Sequence, residues 1–317
     1  MNAIKWGILG YARIAQNRVI PAIEAASNAT CHAVATRDPE RAAQARATGR
    51  YEKVHSDYQS LLDDPDIDAV YIPLPNHLHL PWTLAAAERG KHVLCEKPLA
   101  LSLRECEAMA QTCERRGVLL AEAFMYRYSG RTQKLLEIVH SGALGELRHI
   151  FAEFRFLLDN PDDFRLRPEW GGGALFDVGT YPVDLLGLLL GEAPVALCGE
   201  KVRHPGGVDI LFAGSLKYAG SVLASIGCGF NSVYREYAQI TGTAGVLEVP
   251  RPFQKSGEPF RLITAAGLEE IPVPESDNYR LEIEDFSGAI LEGRPLRFPI
   301  QDSLRNMGVL EQLVALP

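Results

Sequence analysis

Ile4-Lys5-Trp6-Gly7-Ile8-Leu9-Gly10-Tyr11-Ala12-Arg13-Ile14-Ala15 decides the fold. The first six residues are strand-like and mostly apolar, Gly10 breaks them, and residues 14–26 read as a helix. A strand, a glycine-led turn and a helix open a β-α-β unit. The turn matches G-x-G-x-x-G/A, with Ala12 standing for the second glycine. Gly10 supplies the tight turn and Ala15 lets helix and strand pack closely, while Ala12 adds a methyl where backbone would approach a pyrophosphate. A helix N-terminus offers N–H groups and a positive dipole end to a phosphate. Gly10, Ala12, Arg13 and Ile14 are therefore candidate cofactor-binding residues.

The same alternation continues outward. Residues 30–35, 69–72, 92–95 and 118–121 read as strands, and 39–47, 58–62, 80–89 and 103–115 as helices. Asp38 is placed to cap the helix that begins at Pro39, and Ser102 with Glu105 forms a capping box. Strands alternating with helices predict an α/β domain with a parallel, doubly wound sheet over residues 1–123. After Phe124 the rhythm changes. A helix over 131–140, a long strand over 146–156 and a loop over 158–169 lead to an apolar helix over 176–190. Strands follow at 195–200, 208–213, 221–228, 236–241 and 246–249, and helices at 279–291 and 301–313 close the chain. This predicts an α+β domain over 124–317 with a large, mostly antiparallel open sheet. The C-terminal helices are free to pack back on the first domain.

Composition narrows the function. The chain has 317 residues, enough for two domains. A net charge of −8 without a basic run argues against a nucleic-acid partner. The longest apolar run, 185–190, falls far short of the ~20 residues that span a bilayer. No basic leader precedes the first strand, so a cytoplasmic location and no membrane partner are expected. The six cysteines form no CxxC pair and read as reduced, mostly buried residues. His77-x-His79 lacks helical spacing and an obvious third ligand, so no metal is expected.

The second strand ends Ala35-Thr36-Arg37-Asp38. NAD binding usually needs a carboxylate at that end for the ribose 2′-hydroxyl. Here Thr36 can hydrogen-bond a 2′-phosphate and Arg37 can pair with it, while Asp38 is better used as a helix cap. NADP is expected, with NAD a possible substitute.

Two further segments carry the chemistry. Leu74, Asn76 and His79 follow the strand 69–72, along the crevice at the carboxyl end of a parallel sheet. Glu96-Lys97-Pro98 follows the strand 92–95 and places an ammonium at a strand terminus. Gly171-Gly172-Gly173 then leads into a helix in which Asp177 and Tyr181 project one turn apart. A lysine near a phenol stabilises the phenolate. A lysine, a carboxylate and a phenol beside a dinucleotide suit hydride transfer to or from a sugar carbinol. Lys97, Asp177 and Tyr181 are the candidate catalytic and substrate-binding residues.

These pieces together resemble the glucose–fructose oxidoreductase, inositol dehydrogenase and rhizopine-catabolism (Gfo/Idh/MocA) family. The matching stretches are 6–15, Pro75-Asn76-His77-Leu78-His79, Glu96-Lys97-Pro98-Leu99, Glu122-Ala123-Phe124-Met125-Tyr126-Arg127-Tyr128 and 171–181. Thr241-Gly242-Thr243-Ala244-Gly245 and Tyr279-Arg280-Leu281-Glu282 carry the resemblance through most of the chain. It implies an N-terminal Rossmann domain and a C-terminal α+β domain whose open sheet pairs subunits into a homodimer or homotetramer. It also implies a catalytic Lys97 before a cis Pro98, and cofactor contacts from Glu96, Lys97, Arg165 and Tyr279. Arg127 is expected to line the substrate pocket. Tyr181 in place of histidine is similar to the dihydrodiol dehydrogenase and glucose–fructose oxidoreductase branch. The expected activity is NADP(H)-dependent oxidation and reduction of a sugar or polyol, with either Lys97 or Tyr181 delivering the proton. The alternatives are a dihydrodiol-type dehydrogenase with a non-sugar substrate, and a non-catalytic NADP-sensing regulator.

Overall fold

The computed structural model describes residues 3–254 and 256–317. Strands β1 (Ile4–Leu9), β2 (Ala29–Ala35), β3 (Lys53–His55), β4 (Ala69–Ile72), β5 (His92–Cys95) and β6 (Leu120–Glu122) form a parallel sheet in the order β3-β2-β1-β4-β5-β6. The order reverses beside β1, the topological switch point at which such sheets bind ligands. Trp6, Ile8 and Leu9 are fully buried, as expected where helices cover both faces. Trp6 keeps its indole N–H satisfied by donating to Ser287 Oγ at 3.1 Å. Its ring meets Phe286 at 5.4 Å. Both partners lie on the helix Asn278–Glu292. Chain order and spatial grouping therefore part company: residues 3–125 and 277–301 form one compact unit, and 126–276 with 302–317 a second.

The second unit is built on β7 (Leu147–Leu157), β8 (Ala196–Arg203), β9 (Asp209–Lys217), β10 (Leu223–Gly229), β11 (Asn231–Gly242), β12 (Gly245–Pro250), β13 (Phe260–Thr264) and β14 (Gly267–Ile271). Their order is β14-β13-β12-β11-β7-β10-β9-β8. Within this sheet the β7–β10 pairing is parallel and the other pairings among the described residues are antiparallel. Alternation sorts the two faces. Ile150, Ala152, Phe212, Leu216, Ala224, Ile226, Ala238 and Ile240 are buried. The helix Thr180–Leu190 packs on β7 and β10. The opposite face carries Lys217, Ser225, Gln239 and Glu248, with Leu223, Ile263 and Leu268 exposed among them.

One sequence expectation needs correction. No apolar run was expected to approach membrane-spanning length, but the helical stretch Pro168–Leu190 contains an 18-residue window with a mean hydropathy of 1.3, long and apolar enough by composition to cross a membrane. It is instead a core helix, 72% of that window being buried inside the protein.

Candidate active site

In the first unit, Gly10 ends β1 with φ 114°, a conformation that L-residues rarely adopt. Its N–H donates to Ala35 O at 2.8 Å, which ties the turn to the end of β2. A Cβ here would press on Leu74 Cδ2 at 3.0 Å, so the predicted turn residue and Leu74 are neighbours. Ala12, Arg13 and Ile14 open the helix that follows. That helix widens to a π-turn over Ala15–Val19, a distortion common at functional sites. The glycine turn and the exposed helix start fit a dinucleotide pyrophosphate.

The end of β2 is arranged for a phosphate. Thr36 is buried, and its N–H donates to His55 O at 3.1 Å. Asp38 is committed to capping: Oδ1 accepts from Glu40 N–H at 2.9 Å and from Arg41 N–H at 3.3 Å. Arg37 stays exposed, its guanidinium 5.3 Å from the centre of the Tyr58 ring. The exposed cation beside a spent carboxylate fits NADP better than NAD.

The lysine loop is anchored at successive residues. Lys97 N–H donates to Glu96 Oε2 at 3.2 Å, and Leu99 N–H to Glu122 Oε1 at 2.9 Å. Between them, the Pro98 carbonyl lies 2.9 Å from His79 Nδ1, and the Lys97–Pro98 peptide is cis. Glu96 is held in turn by the hydroxyl of the fully buried Tyr71, which donates to Oε1 at 2.5 Å. Burial, followed by Glu96, holds the Tyr279 phenol well above its usual range, so the predicted cofactor-side residues Glu96 and Tyr279 share one environment. Asn76 lies in the turn Asn76–Leu78 after β4.

His79, a candidate on the cofactor side, lies between the Leu74 loop and the Lys97 loop. It is fully buried, with Nε2 2.8 Å from Leu74 O as well as Nδ1 on Pro98. Burial lowers its pKa against the pull of these carbonyls. The ring bridges the Leu74 and Lys97 loops with one nitrogen facing each carbonyl, and as a neutral imidazole it donates to one of the two.

In the second unit, the chain reaches its acid–base candidates through Gly173. Its φ of 120° and a collision between any side chain there and the Asp209 carboxylate require glycine. Asp209, at the start of β9, accepts from Leu175 N–H at 2.7 Å and so caps the site helix from a distant strand. A π-turn spans Leu175–Gly179, and Asp177 lies on it. Arg165 Nε donates to Asp177 Oδ2 at 2.6 Å, and Nη1 to Asp163 Oδ1 at 3.2 Å. Arg165, expected on the cofactor side, thus orients Asp177. Burial opposes the charge on this guanidinium, and Asp177 and Asp163 outweigh it.

Tyr181 is buried on the next turn. Its ring lies 6.0 Å from Tyr126, 5.4 Å from Phe154 and 5.3 Å from Phe253. None of these three was singled out from sequence, although Phe154 occupies an alternating position of β7 that could have marked it. Beside this aromatic cluster, Glu236 stands opposite Phe154 on β11. Burial pushes its carboxyl up from 4.5 to about 7, against the Tyr234 hydroxyl, Gln254, Phe253 N–H and Arg251. The folded protein therefore holds a proton that the unfolded chain releases between pH 4.5 and 7, and stability falls as pH rises through that window. Glu236→Gln removes the dependence. Its stability relative to the native sequence should improve by roughly 2–3 kcal/mol between pH 5 and pH 8, measured by urea unfolding. An equal difference at both pH values would refute this.

Arg127, expected to line the substrate pocket, is 4% exposed and pairs through Nε (2.9 Å) and Nη2 with the buried Asp184, which also accepts from Tyr126 O–H. Asp302 Oδ2 lies 3.5 Å from Nη1. Burial opposes the charge, but Asp184 outweighs it and holds Arg127 protonated. The pair lines a cavity of about 10 Å³ with Asp302, Arg305 and Asn306, room for about one water.

Known proteins share both domains. A family model described as an oxidoreductase family with an NAD-binding Rossmann fold matches residues 4–124, and the GFO/IDH/MocA C-terminal domain matches residues 132–248. The chain is 36% identical over 312 residues to D-xylose 1-dehydrogenase (NADP(+)) 2 of Haloferax volcanii, covering 97% of this chain and 95% of that protein. It is 30% identical over 277 residues to trans-1,2-dihydrobenzene-1,2-diol dehydrogenase of Mus musculus, covering 86% and 81%. Its structure is similar to that of KijD10, a 3-ketoreductase from Actinomadura kijaniata in complex with NADP and TDP-benzene. The TM-score is 0.91 at 30% identity, over 98% of this chain and 97% of that one. With both domains matched in order and relatives aligned over nearly its whole length, the chain belongs to the Gfo/Idh/MocA family of oxidoreductases.

Proposed function

We propose that this enzyme is an NADP(H)-dependent oxidoreductase that interconverts a carbinol and a carbonyl on a sugar-type substrate. The observation that carries the reading is the pairing of an exposed Arg37 with an Asp38 already spent as a helix cap, upstream of a lysine loop fixed residue by residue. The sugar dehydrogenase and the NADP-bound ketoreductase among its relatives support it.

Thr36 and Arg37 hold the 2′-phosphate, and Gly10, Ala12, Arg13 and Ile14 the pyrophosphate. Leu74, Asn76, Glu96 and Tyr279 shape the nicotinamide side. Bound NADP(H) supplies or takes up the hydride at its nicotinamide C4. Lys97 hydrogen-bonds the substrate oxygen, and Lys97 and Tyr181 carry the proton to or from it. Asp177, oriented by Arg165, fixes a neighbouring hydroxyl. The face of the second sheet that bears Leu223, Ile263 and Leu268 is the proposed surface for a homodimer or homotetramer, and sedimentation of the native enzyme tests it.

A second reading, a dihydrodiol-type substrate, is favoured by the rings of Tyr126, Phe154 and Phe253 around Tyr181. A panel of aldoses, polyols, keto-sugars and trans-dihydrodiols with both cofactors, followed by absorbance of the reduced nicotinamide, separates the two. NADPH should exceed NADH in kcat/KM by at least about tenfold, the scale of one or two charge-assisted hydrogen bonds. A preference for NADH would overturn the cofactor assignment. Tight NADPH binding without turnover on any member of the panel would instead mark a sensor.

A further inference from the structure

We propose that Tyr58 sets the cofactor preference by holding Arg37 in position for the 2′-phosphate, an inference that rests on the reading of Arg37 above. The guanidinium of Arg37 lies 5.3 Å from the centre of the Tyr58 ring, within cation–π range. The ring is itself fixed. Tyr58 is 6% exposed and opens the helix Tyr58–Leu62, whose cap Asp57 accepts from Ser60 N–H at 2.8 Å. Trp82, on the helix His79–Glu88, meets it edge-on with centroids 5.0 Å apart and planes at 89°. The Tyr58 hydroxyl lies 3.7 Å from the point that a Cβ on Gly10 would occupy. One phenol ring thus underlies both the phosphate turn and the arginine beside it.

The consequence is preorganisation. An arginine on a bare surface gives up side-chain freedom when it grips a phosphate. An arginine already laid on an aromatic face has spent much of that freedom beforehand, so less affinity is lost on binding. The gain applies to the cofactor that carries the phosphate and leaves the other nearly untouched. The neighbouring Asp38 does not compete for Arg37: it caps its own helix, and its Oδ2 lies 3.5 Å from Arg41 Nε.

The test is the ratio of kcat/KM with NADPH to that with NADH, measured on the intact enzyme. Tyr58→Leu should lower the ratio by about 3–10-fold, the range of a partly exposed cation–π contact. The change should appear in the KM for NADPH, with NADH efficiency moving less than about twofold. Tyr58→Phe, which keeps the ring, should preserve the ratio. Melting curves recorded in parallel show whether each variant is folded at the assay temperature. An unmoved ratio in Tyr58→Leu would overturn the proposal, as would an equal loss with both cofactors, because that pattern marks support of the glycine turn alone. Failure of the underlying reading looks different: the unmutated enzyme would itself prefer NADH.

Discussion

Lys97→Ala should reduce turnover by about 10²–10⁴-fold, the range for one positioned acid–base group, while NADPH binding stays within a few-fold of the native value. The expectation follows from how the loop is held. Its fixed points are the Lys97 N–H on Glu96, the Pro98 carbonyl at His79 and the Leu99 N–H on Glu122. Each involves backbone of the loop. Truncating the side chain therefore removes the charge and keeps these three backbone contacts. Steady-state turnover with the best substrate from the panel, beside a fluorescence titration of NADPH, reads the two quantities separately. A kcat within threefold of native would sink the catalytic role. A parallel collapse of NADPH binding would mean that the lysine serves the cofactor and not the reaction.

The first sheet was legible because its central strands are short, apolar and each followed by a helix, and the helices after β2 and β5 carry side-chain caps. Asp38 and Ser102 cap as the sequence indicates, the latter accepting from Glu105 N–H at 3.3 Å. The strand β3 was missed because Lys53-Val54-His55 has three residues at a sheet edge and no apolar alternation. The β13–β14 hairpin was missed for a related reason: Gly267, Leu268, Glu269 and Glu270 are exposed, so burial imposes no pattern on them. In the site, the residues that carry chemistry were found through motifs, whereas those that position them came from distant parts of the chain. Asp209 caps a helix that begins 34 residues earlier in the sequence. Tyr71 reaches Glu96 across two adjacent strands. No local spacing announces such contacts. One signal was available: Asp184 is a lone carboxylate inside the run Val183-Asp184-Leu185-Leu186, and a charge in an otherwise apolar core helix demands a buried partner.

That partner, Arg127, gives the largest expected effect on stability. Arg127→Met should destabilise the folded protein by about 3–5 kcal/mol, the usual result of removing one member of a buried ion pair. The melting temperature should fall by roughly 10 °C. The loss arises mainly from what remains. Asp184 is 1% exposed and would keep the Tyr126 hydroxyl among the described residues, while Asp302, also facing Arg127, keeps its bond from Arg305 Nη2 at 2.7 Å. A second substitution decides between a charge effect and a packing effect. Asp184→Asn retains an acceptor for Tyr126 but removes the uncompensated charge, so Arg127→Met combined with Asp184→Asn should recover much of the loss. If the double variant is no more stable than the single one, lost packing of the arginine stem is the cause. Below the unfolding transition, the KM of the Arg127→Met enzyme for substrate should stay within about threefold of native, since the guanidinium is enclosed by Asp184 and Asp302 and is 4% exposed. A loss of stability below about 1 kcal/mol, the level of a surface pair, together with a sharply raised KM, would return Arg127 to the substrate pocket.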